Sequence, residues 1–165
     1  MIGEERDGRS ADLTTREATV ADVPAVAELF AAYRVFYGRT RDVGLAATFL
    51  LERLTRRESR VFVAEAAAAA RPARLCAFAQ VYASFSSVDA APIWVLNDLF
   101  VADEHRGRGV GRHLLRRVHD VAREHGVFRI ELETALSNGR ARSLYESLGY
   151  TAEAGYVHYS LRIET

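Results

Sequence analysis

The chain has no lysine, only one cysteine and no net charge. Without lysine the protein cannot form a Schiff base through its own side chains, and its 22 cationic residues are all arginine. The single Cys76 cannot close an internal disulfide, which favours a reducing compartment. Zero net charge removes the global basic field that attracts nucleic acid.

Long hydrophobic runs are also missing. No run approaches the ~20 residues that a membrane span needs, and the charged start of the chain is unlike a signal peptide. The sequence therefore predicts a cytoplasmic protein that binds neither nucleic acid nor membrane.

The 165 residues suit one domain, and we expect a flexible tail over residues 1–13 followed by a folded domain over residues 14–165. Apolar periodicity separates strands from helices. Strands are predicted over residues 16–20, 61–66, 75–85, 93–101, 127–134 and 156–163. Helices are predicted over residues 22–37, 42–56, 110–125 and 138–148, with a hairpin loop over 66–74. This order indicates an α/β protein with a mixed sheet.

The most informative stretch is the glycine turn Arg106-Gly107-Arg108-Gly109-Val110-Gly111, which follows a predicted strand and opens a predicted helix. Glycine adopts unusual backbone angles without steric cost, so the amides of this turn can converge. They lie at a helix N-terminus, where amides lack intrahelical acceptors and the dipole is positive. The turn is therefore a candidate phosphate site, flanked by two arginines and followed by Arg112.

From these residues alone, several interpretations of the turn stay open. A dinucleotide fingerprint needs an acidic residue about 20 positions on, and Glu131 and Glu133 meet that spacing. Such a fingerprint belongs near the start of a strand–helix–strand unit, whereas this turn lies deep in the chain. A Walker A loop is excluded because no Gly-Lys-Ser/Thr follows. A purely structural tight turn is the remaining alternative.

Two longer segments carry a family resemblance. The segment Leu96-Asn97-Asp98-Leu99-Phe100-Val101, together with the glycine turn, resembles motif A of the GCN5-related N-acetyltransferases (GNAT), and the signature Gln/Arg-x-x-Gly-x-Gly/Ala is matched by Arg106, Gly109 and Gly111. Residues 138–150 resemble motif B of that family through Asn138, Ala141, Tyr145 and Tyr150. The resemblance covers about residues 15–163, and locally it is most similar to the spermidine/spermine-type and Hpa2-like branch.

The resemblance implies a GNAT fold: a single mixed, mostly antiparallel sheet of six to seven strands with a central splay, flanked by about four helices. It also implies an N-acetyltransferase that uses acetyl-CoA, needs no metal and transfers acetyl directly to a primary amine. The pantetheine arm would pair with the strand before the turn, and the turn would hold the pyrophosphate. The implied acetyl-CoA contacts are Leu99, Phe100, Val101, Arg106, Gly107, Arg108, Gly109, Val110, Gly111, Arg112, Asn138, Arg142 and Tyr145.

Tyr145 is the candidate proton donor, since the resemblance implies that it protonates the coenzyme A thiolate. It lies seven residues after Asn138, so both share one helix face about 10 Å apart. Core packing is the alternative role for Tyr145. The acceptor ammonium must also lose a proton. The polar candidates near the splay are Asn97, Asp98, Glu131 and Glu133.

Polyamine acetyltransferases usually carry a glutamate where this chain has Asn97. An amide cannot accept the proton, so Asp98 or a water chain is left as the base. Because side chains alternate along a strand, Asn97 and Asp98 should face opposite sides of the sheet.

The acceptor site is predicted to form from the first two helices. Tyr33 and Tyr37 lie on one helical stripe, and Arg34 is beside them. Aromatic faces suit a cationic amine, whereas Arg34 or Arg39 would suit a carboxylate, and Glu133 completes the predicted acceptor set. Core packing is again the alternative.

The acceptor is expected to be a small-molecule or peptide amine, and its identity stays open among polyamines, amino acids, aminoglycosides and protein lysines. The resemblance is compatible with a homodimer. The alternatives in other functional classes are a non-catalytic acyl-CoA-binding or interaction module on the same fold, a nucleic-acid binder and a nicotinamide-nucleotide enzyme.

Overall fold

The computed structural model describes residues 13–68, 71–155 and 157–163. Backbone contacts divide the chain into two compact units, Met1–Glu133 and Thr134–Thr165. The predicted tail over residues 1–13 lies outside the described residues except for Leu13, which begins the first strand.

Among the described residues, the first unit contains five strands and three α-helices. The strands are β1 (Leu13–Glu17), β2 (Ser59–Ala68), β3 (Arg71–Ser86), β4 (Ala91–Val101) and β5 (Arg129–Leu132). The helices are α1 (Val23–Phe36), α2 (Val43–Thr55) and α3 (Val110–Glu124). The second unit contains α4 (Gly139–Glu146).

Local signals in the sequence explain where the helices begin. Pro24 lies in the first turn of α1, where its missing amide costs nothing. Asp42 caps α2, since its Oδ1 accepts a hydrogen bond from the Leu45 amide at 2.9 Å. Gly109 precedes α3 with φ of 79°, in the left-handed region.

The strands form one sheet in the order β1-β2-β3-β4-β5. The first three pairings are antiparallel, whereas β4 and β5 are parallel. The prediction of a mixed, mostly antiparallel sheet with about four helices is therefore confirmed for the described residues.

The predicted count of six to seven strands is wrong, because the sheet of the described residues has five. The prediction failed at residues 156–163: Tyr156 is outside the described residues, and residues 157–163 belong to no helix or strand. Val157 and Leu161 are 74% and 84% exposed. Apolar alternation predicts a segment with two different faces, but a strand also requires a backbone partner.

The ends of β2, β3 and β5 also differ from the predicted ones, because backbone pairing decides where each strand ends. Pairing between β2 and β3 continues to Ala68↔Arg71, so these strands absorb most of the predicted hairpin loop over residues 66–74. By contrast, β5 pairs with β4 only from Arg129 to Leu132, which leaves Glu133 beyond the strand.

The sheet of the first unit is covered on both faces. On one face, α1 and α2 pack against Val61, Val63, Phe78 and Phe100. On the other, Trp94 lies with its ring centroid 6.0 Å from that of His125, directly after α3. Within the described residues, no helix is long and apolar enough to cross a membrane.

Candidate active site

β4 contains an extra residue relative to β3 at the point where its pairing with β5 ends. Gln80 pairs with Asp98 while the next residue, Val81, pairs with Leu96, so Asn97 forms a β-bulge. Pairing of β4 with β5 ends at this point, at Leu96↔Leu132. From Asn97 onwards, no strand in the described part of the chain pairs with this edge of β4. The edge of β4 is therefore unpaired where the splay was predicted, and backbone groups on such an edge can pair with an extended amide-rich ligand.

The two polar side chains at the bulge differ in exposure. Asn97 is exposed, whereas Asp98 is only 6% exposed. Burial raises the pKa of the Asp98 carboxyl, and hydrogen bonding to Tyr33 and Asn97 opposes that rise. A carboxyl with a raised pKa holds a proton more readily, which is the property required of a general base.

α1 brings its predicted aromatic stripe to Asp98. The Tyr33 and Tyr37 ring centroids lie 4.9 Å apart, edge to face. Burial, followed by the Asp98 charge, raises the pKa of the Tyr33 hydroxyl well above its usual range. Tyr37 is 56% exposed. The structure thus joins Tyr33, Tyr37 and Asp98 in one cluster.

The arginines predicted beside this stripe take different positions. Arg34 is half-buried, and its Nη1 atom has no hydrogen-bond partner among the described residues. Arg39 is exposed, and its backbone amide donates to the Arg34 carbonyl at 2.9 Å. The side chain of Arg34, not that of Arg39, therefore belongs to the buried part of α1.

The glycine turn has the backbone that its sequence predicts. Gly107 and Gly109 have φ of 76° and 79°. The Arg106 amide donates to the Asp103 carbonyl at 3.2 Å, and the His113 amide donates to the Gly109 carbonyl at 3.0 Å. Between these bonds lie the amides of residues 107–112, and those of 110–112 belong to the first turn of α3, which offers them no intrahelical acceptor. Helix N-termini with such amides commonly bind anions.

Arg106 has a structural role that the sequence did not reveal. Its Nε donates to the Val101 carbonyl at 2.9 Å, and its Nη2 pairs with Asp103 at 2.6 Å. Its guanidinium lies over the rings of Phe100 and Phe36, at 5.3 and 5.9 Å from their centroids. Phe36 is missed by sequence reasoning because 70 residues separate it from Arg106. The Arg106 side chain therefore fixes the turn to β4 and α1.

Replacing Arg106 by lysine should destabilise the turn. An ammonium cannot reproduce the planar stacking and the directed Nε hydrogen bond, so we expect Arg106→Lys to lower the free energy of unfolding by about 1–2 kcal/mol. Chemical denaturation measures this. The exposed Arg108 offers a matched control, and Arg108→Lys should change stability by less than about 0.5 kcal/mol. Equal losses in both variants would contradict the structural role of Arg106.

The acidic candidates at β5 are less well placed than Asp98. Glu131 accepts a hydrogen bond from Arg129 Nε at 2.7 Å, and Arg129 also pairs with Asp89. Glu133 is exposed and lies after the last residue of β5. Its predicted position within a strand over residues 127–134 is therefore wrong.

The second unit carries the motif B residues, with Ala141 and Tyr145 in α4 and Asn138 and Tyr150 on either side of it. Asn138 caps the helix, since its Oδ1 accepts from the Ala141 amide at 3.2 Å. Arg142 Nη1 donates to the Leu136 carbonyl at 3.4 Å. Tyr145 lies in the last turn, with its ring centroid 5.7 Å from that of Tyr150. Among the described residues, no cluster of histidine, cysteine, aspartate or glutamate could hold a metal ion.

Comparisons with known proteins agree with this architecture. Residues 24–150 match the family model described as "Acetyltransferase (GNAT) family". The uncharacterized N-acetyltransferase YhfO of Bacillus subtilis is 39% identical over 151 residues, which cover 92% of this chain and 98% of that protein. The chain therefore belongs to the GNAT family and is an acetyltransferase.

Solved structures give the same result. A probable acetyltransferase has 36% sequence identity and a TM-score of 0.81, with 92% of this chain and 99% of that chain covered. An aminoglycoside acetyltransferase from an uncultured soil metagenomic sample reaches a TM-score of 0.78 at 18% identity, over 92% of this chain and 97% of its own. The second likeness shows the shared fold alone.

Proposed function

We propose that this protein transfers the acetyl group of acetyl-CoA to a primary amine. The observation that carries the proposal is the glycine turn at the start of α3, directly after the unpaired edge of β4. Gly107 and Gly109 have left-handed backbones and precede the first turn of α3, whose amides suit a diphosphate, and the edge of β4 suits the amides of a pantetheine arm. The residues present therefore fit acetyl-CoA, which supplies the reactive thioester.

The overall reaction consumes an alkylammonium and acetyl-CoA and yields an N-alkyl acetamide, free coenzyme A thiol and one proton. In the proposed mechanism, Asp98 receives a proton from the ammonium, directly or through water. A backbone amide of the β4 edge donates to the thioester carbonyl and stabilises its developing negative charge. Tyr145 donates its phenolic proton to the departing sulfur, as the motif B resemblance implies. The second proton that the nitrogen loses on becoming an amide restores the Tyr145 hydroxyl through solvent.

Asp98 is a stronger candidate for the base than Asn97. Its carboxyl is buried and in contact with Tyr33, and burial raises its pKa towards the working range of a base. Asn97 has no proton-accepting carboxylate and contributes a hydrogen bond to Asp98 instead, with its Nδ2 3.4 Å from Asp98 Oδ2. This arrangement supports a polar bulge in which Asn97 orients Asp98.

The acceptor side is defined by aromatic side chains near a carboxylate. Tyr33 and Tyr37 present ring faces and edges beside Asp98, which suits a cationic amine. The chain's zero net charge supports a small-molecule or peptide acceptor rather than nucleic acid, and its single cysteine supports a cytoplasmic location. A polyamine acceptor of the spermidine/spermine type and a homodimer stay predictions.

A thiol-release screen tests the proposal. The purified protein is mixed with acetyl-CoA and a panel of polyamines, amino acids, aminoglycosides and lysine peptides, and free coenzyme A is measured. The absence of lysine in the chain limits self-acetylation to the α-amino group, so background release is low. We expect release with at least one amine. If calorimetry shows that acetyl-CoA binds but no amine in the panel causes release of coenzyme A, the result would favour the non-catalytic module.

A further inference from the structure

Gln80 is a fully buried polar side chain in β3 with half of its amide unpartnered. Its Nε2 donates to Ser59 Oγ at 2.7 Å. Its Oε1 is also buried, yet no group among the described residues donates to it. Such an unpaired acceptor is costly. Because the atom is sealed from solvent, a neighbouring protein group is the natural source of the missing hydrogen.

The register of the sheet identifies that neighbour. Gln80 and Asp98 are direct partners across β3 and β4, immediately before the bulge at Asn97. Directly opposed antiparallel residues have Cβ atoms about 4.5–5.5 Å apart, on the same face of the sheet. An ionised carboxylate has no hydrogen to donate, but a protonated carboxyl has one. The unpaired oxygen of Gln80 is therefore complementary to one protonation state of Asp98.

We propose that Gln80 is a positioning residue for Asp98: its side-chain carbonyl accepts the hydrogen bond that the Asp98 carboxyl donates once it holds the acceptor's proton. This inference rests on the proposed function for the role of Asp98 as the base. When the ammonium gives up its proton, the proton binds an Asp98 oxygen and points to Gln80 Oε1. After the acetylated product leaves, the proton passes to solvent and the carboxylate is restored.

Other groups around Asp98 bias the same equilibrium. Tyr33 on α1 and Asn97 on β4 hydrogen-bond to the carboxyl and favour its ionised form. On β3, the hydroxyl of the half-buried Tyr82 interacts electrostatically with the Asp98 carboxyl. Arg53 on α2 and Glu58 after α2 act on the same hydroxyl. A hydrogen bond from the neutral carboxyl to Gln80 acts against Tyr33 and Asn97 and holds the pKa of Asp98 higher than they alone would allow.

The test is a titration of the Asp98 carboxyl by NMR of isotope-labelled aspartate in the resting protein, with Asp98→Asn to assign its signal. Gln80→Met keeps the length and burial of the side chain but removes the acceptor. We expect the Asp98 midpoint to fall by about one pH unit in Gln80→Met. With an acetyl acceptor, the acidic limb of kcat/KM should move to lower pH by the same amount.

Ser59→Ala is the matched control, since it removes the partner of the Gln80 amide nitrogen and leaves the carbonyl intact. Its Asp98 midpoint should equal that of the wild type. An unchanged midpoint in folded Gln80→Met, or an equal fall in Ser59→Ala, would overturn the proposal. If Gln80→Met does not fold, NMR of the carbon-labelled Gln80 side-chain carbonyl in the wild type decides. A carbonyl shift that titrates with the Asp98 midpoint supports the proposal, and a shift that stays constant across that midpoint refutes it.

The titration needs no turnover. A chain that releases no thiol with any amine would therefore refute the acetyltransfer mechanism, while the Gln80–Asp98 hydrogen bond would still be measured independently.

Discussion

Gly109→Glu should reduce the affinity for acetyl-CoA by at least about 100-fold. Gly109 has φ of 79° and directly precedes the first turn of α3, whose amides have no intrahelical acceptor. A glutamate there places a carboxylate beside the proposed diphosphate site and forces a side-chain-bearing residue into the left-handed region. An added Cβ meets no atom within 4 Å, so the loss would come from charge and backbone strain rather than from a clash. Isothermal calorimetry with acetyl-CoA measures the effect.

Gly126→Glu separates these two causes. Gly126 follows the other end of α3, has φ of 64° and offers the same open space for a Cβ. The two substitutions therefore share a backbone penalty of about 1 kcal/mol, but only Gly109→Glu adds a negative charge to the anion site. We expect Gly126→Glu to keep acetyl-CoA affinity within about twofold of wild type. Equal losses of affinity in both variants would show that the turn is only structural.

Tyr145→Phe should lower kcat by tenfold or more and leave the KM for acetyl-CoA nearly unchanged. General acid catalysis contributes about 10²–10⁴-fold, and a phenol of pKa about 10 is a modest acid but a good hydrogen-bond donor to a thiolate that titrates near 8.5. The lower end of that range is therefore expected. Steady-state thiol release with a single acceptor measures the change.

Tyr150→Phe is the control for Tyr145→Phe. The two rings are in contact, with centroids 5.7 Å apart, so both variants remove a hydroxyl from the same aromatic pair. Tyr150 lies outside α4, and the mechanism assigns it no proton transfer. We expect Tyr150→Phe to retain kcat within about twofold. If Tyr145→Phe turns over as fast as wild type, Tyr145 packs against its neighbours and another donor protonates the sulfur.

Local sequence signals predicted the elements that position the site. Gly107 and Gly109 were predicted to form the turn, and both have the positive φ that makes glycine necessary there. These features were predictable because glycine conformation and helix starts depend on residues close together in the chain. Alternation predicted opposite sides of β4 for Asn97 and Asp98, but the bulge breaks the alternation and brings Asn97 Nδ2 to 3.4 Å from Asp98 Oδ2.

Features that depend on distant residues were not predictable. The bulge at Asn97 exists only relative to the register of β3, and Phe36 meets Arg106 only after α1 packs on the sheet. The unpaired oxygen of Gln80 likewise becomes visible only when burial and cross-strand register are known. The erroneous strand over residues 156–163 had the same origin, since apolar alternation carries no information about a pairing partner.

The proposed function depends on binding of the acetyl-CoA diphosphate by the amides of the glycine turn. An amide NMR titration of the nitrogen-labelled protein with coenzyme A tests this most directly, because each glycine of the turn gives its own signal. We predict large shifts at Gly107, Gly109 and Gly111, and none at Gly126 at the far end of α3. If saturating coenzyme A leaves the amide signals of these three glycines unshifted, the turn does not bind the diphosphate.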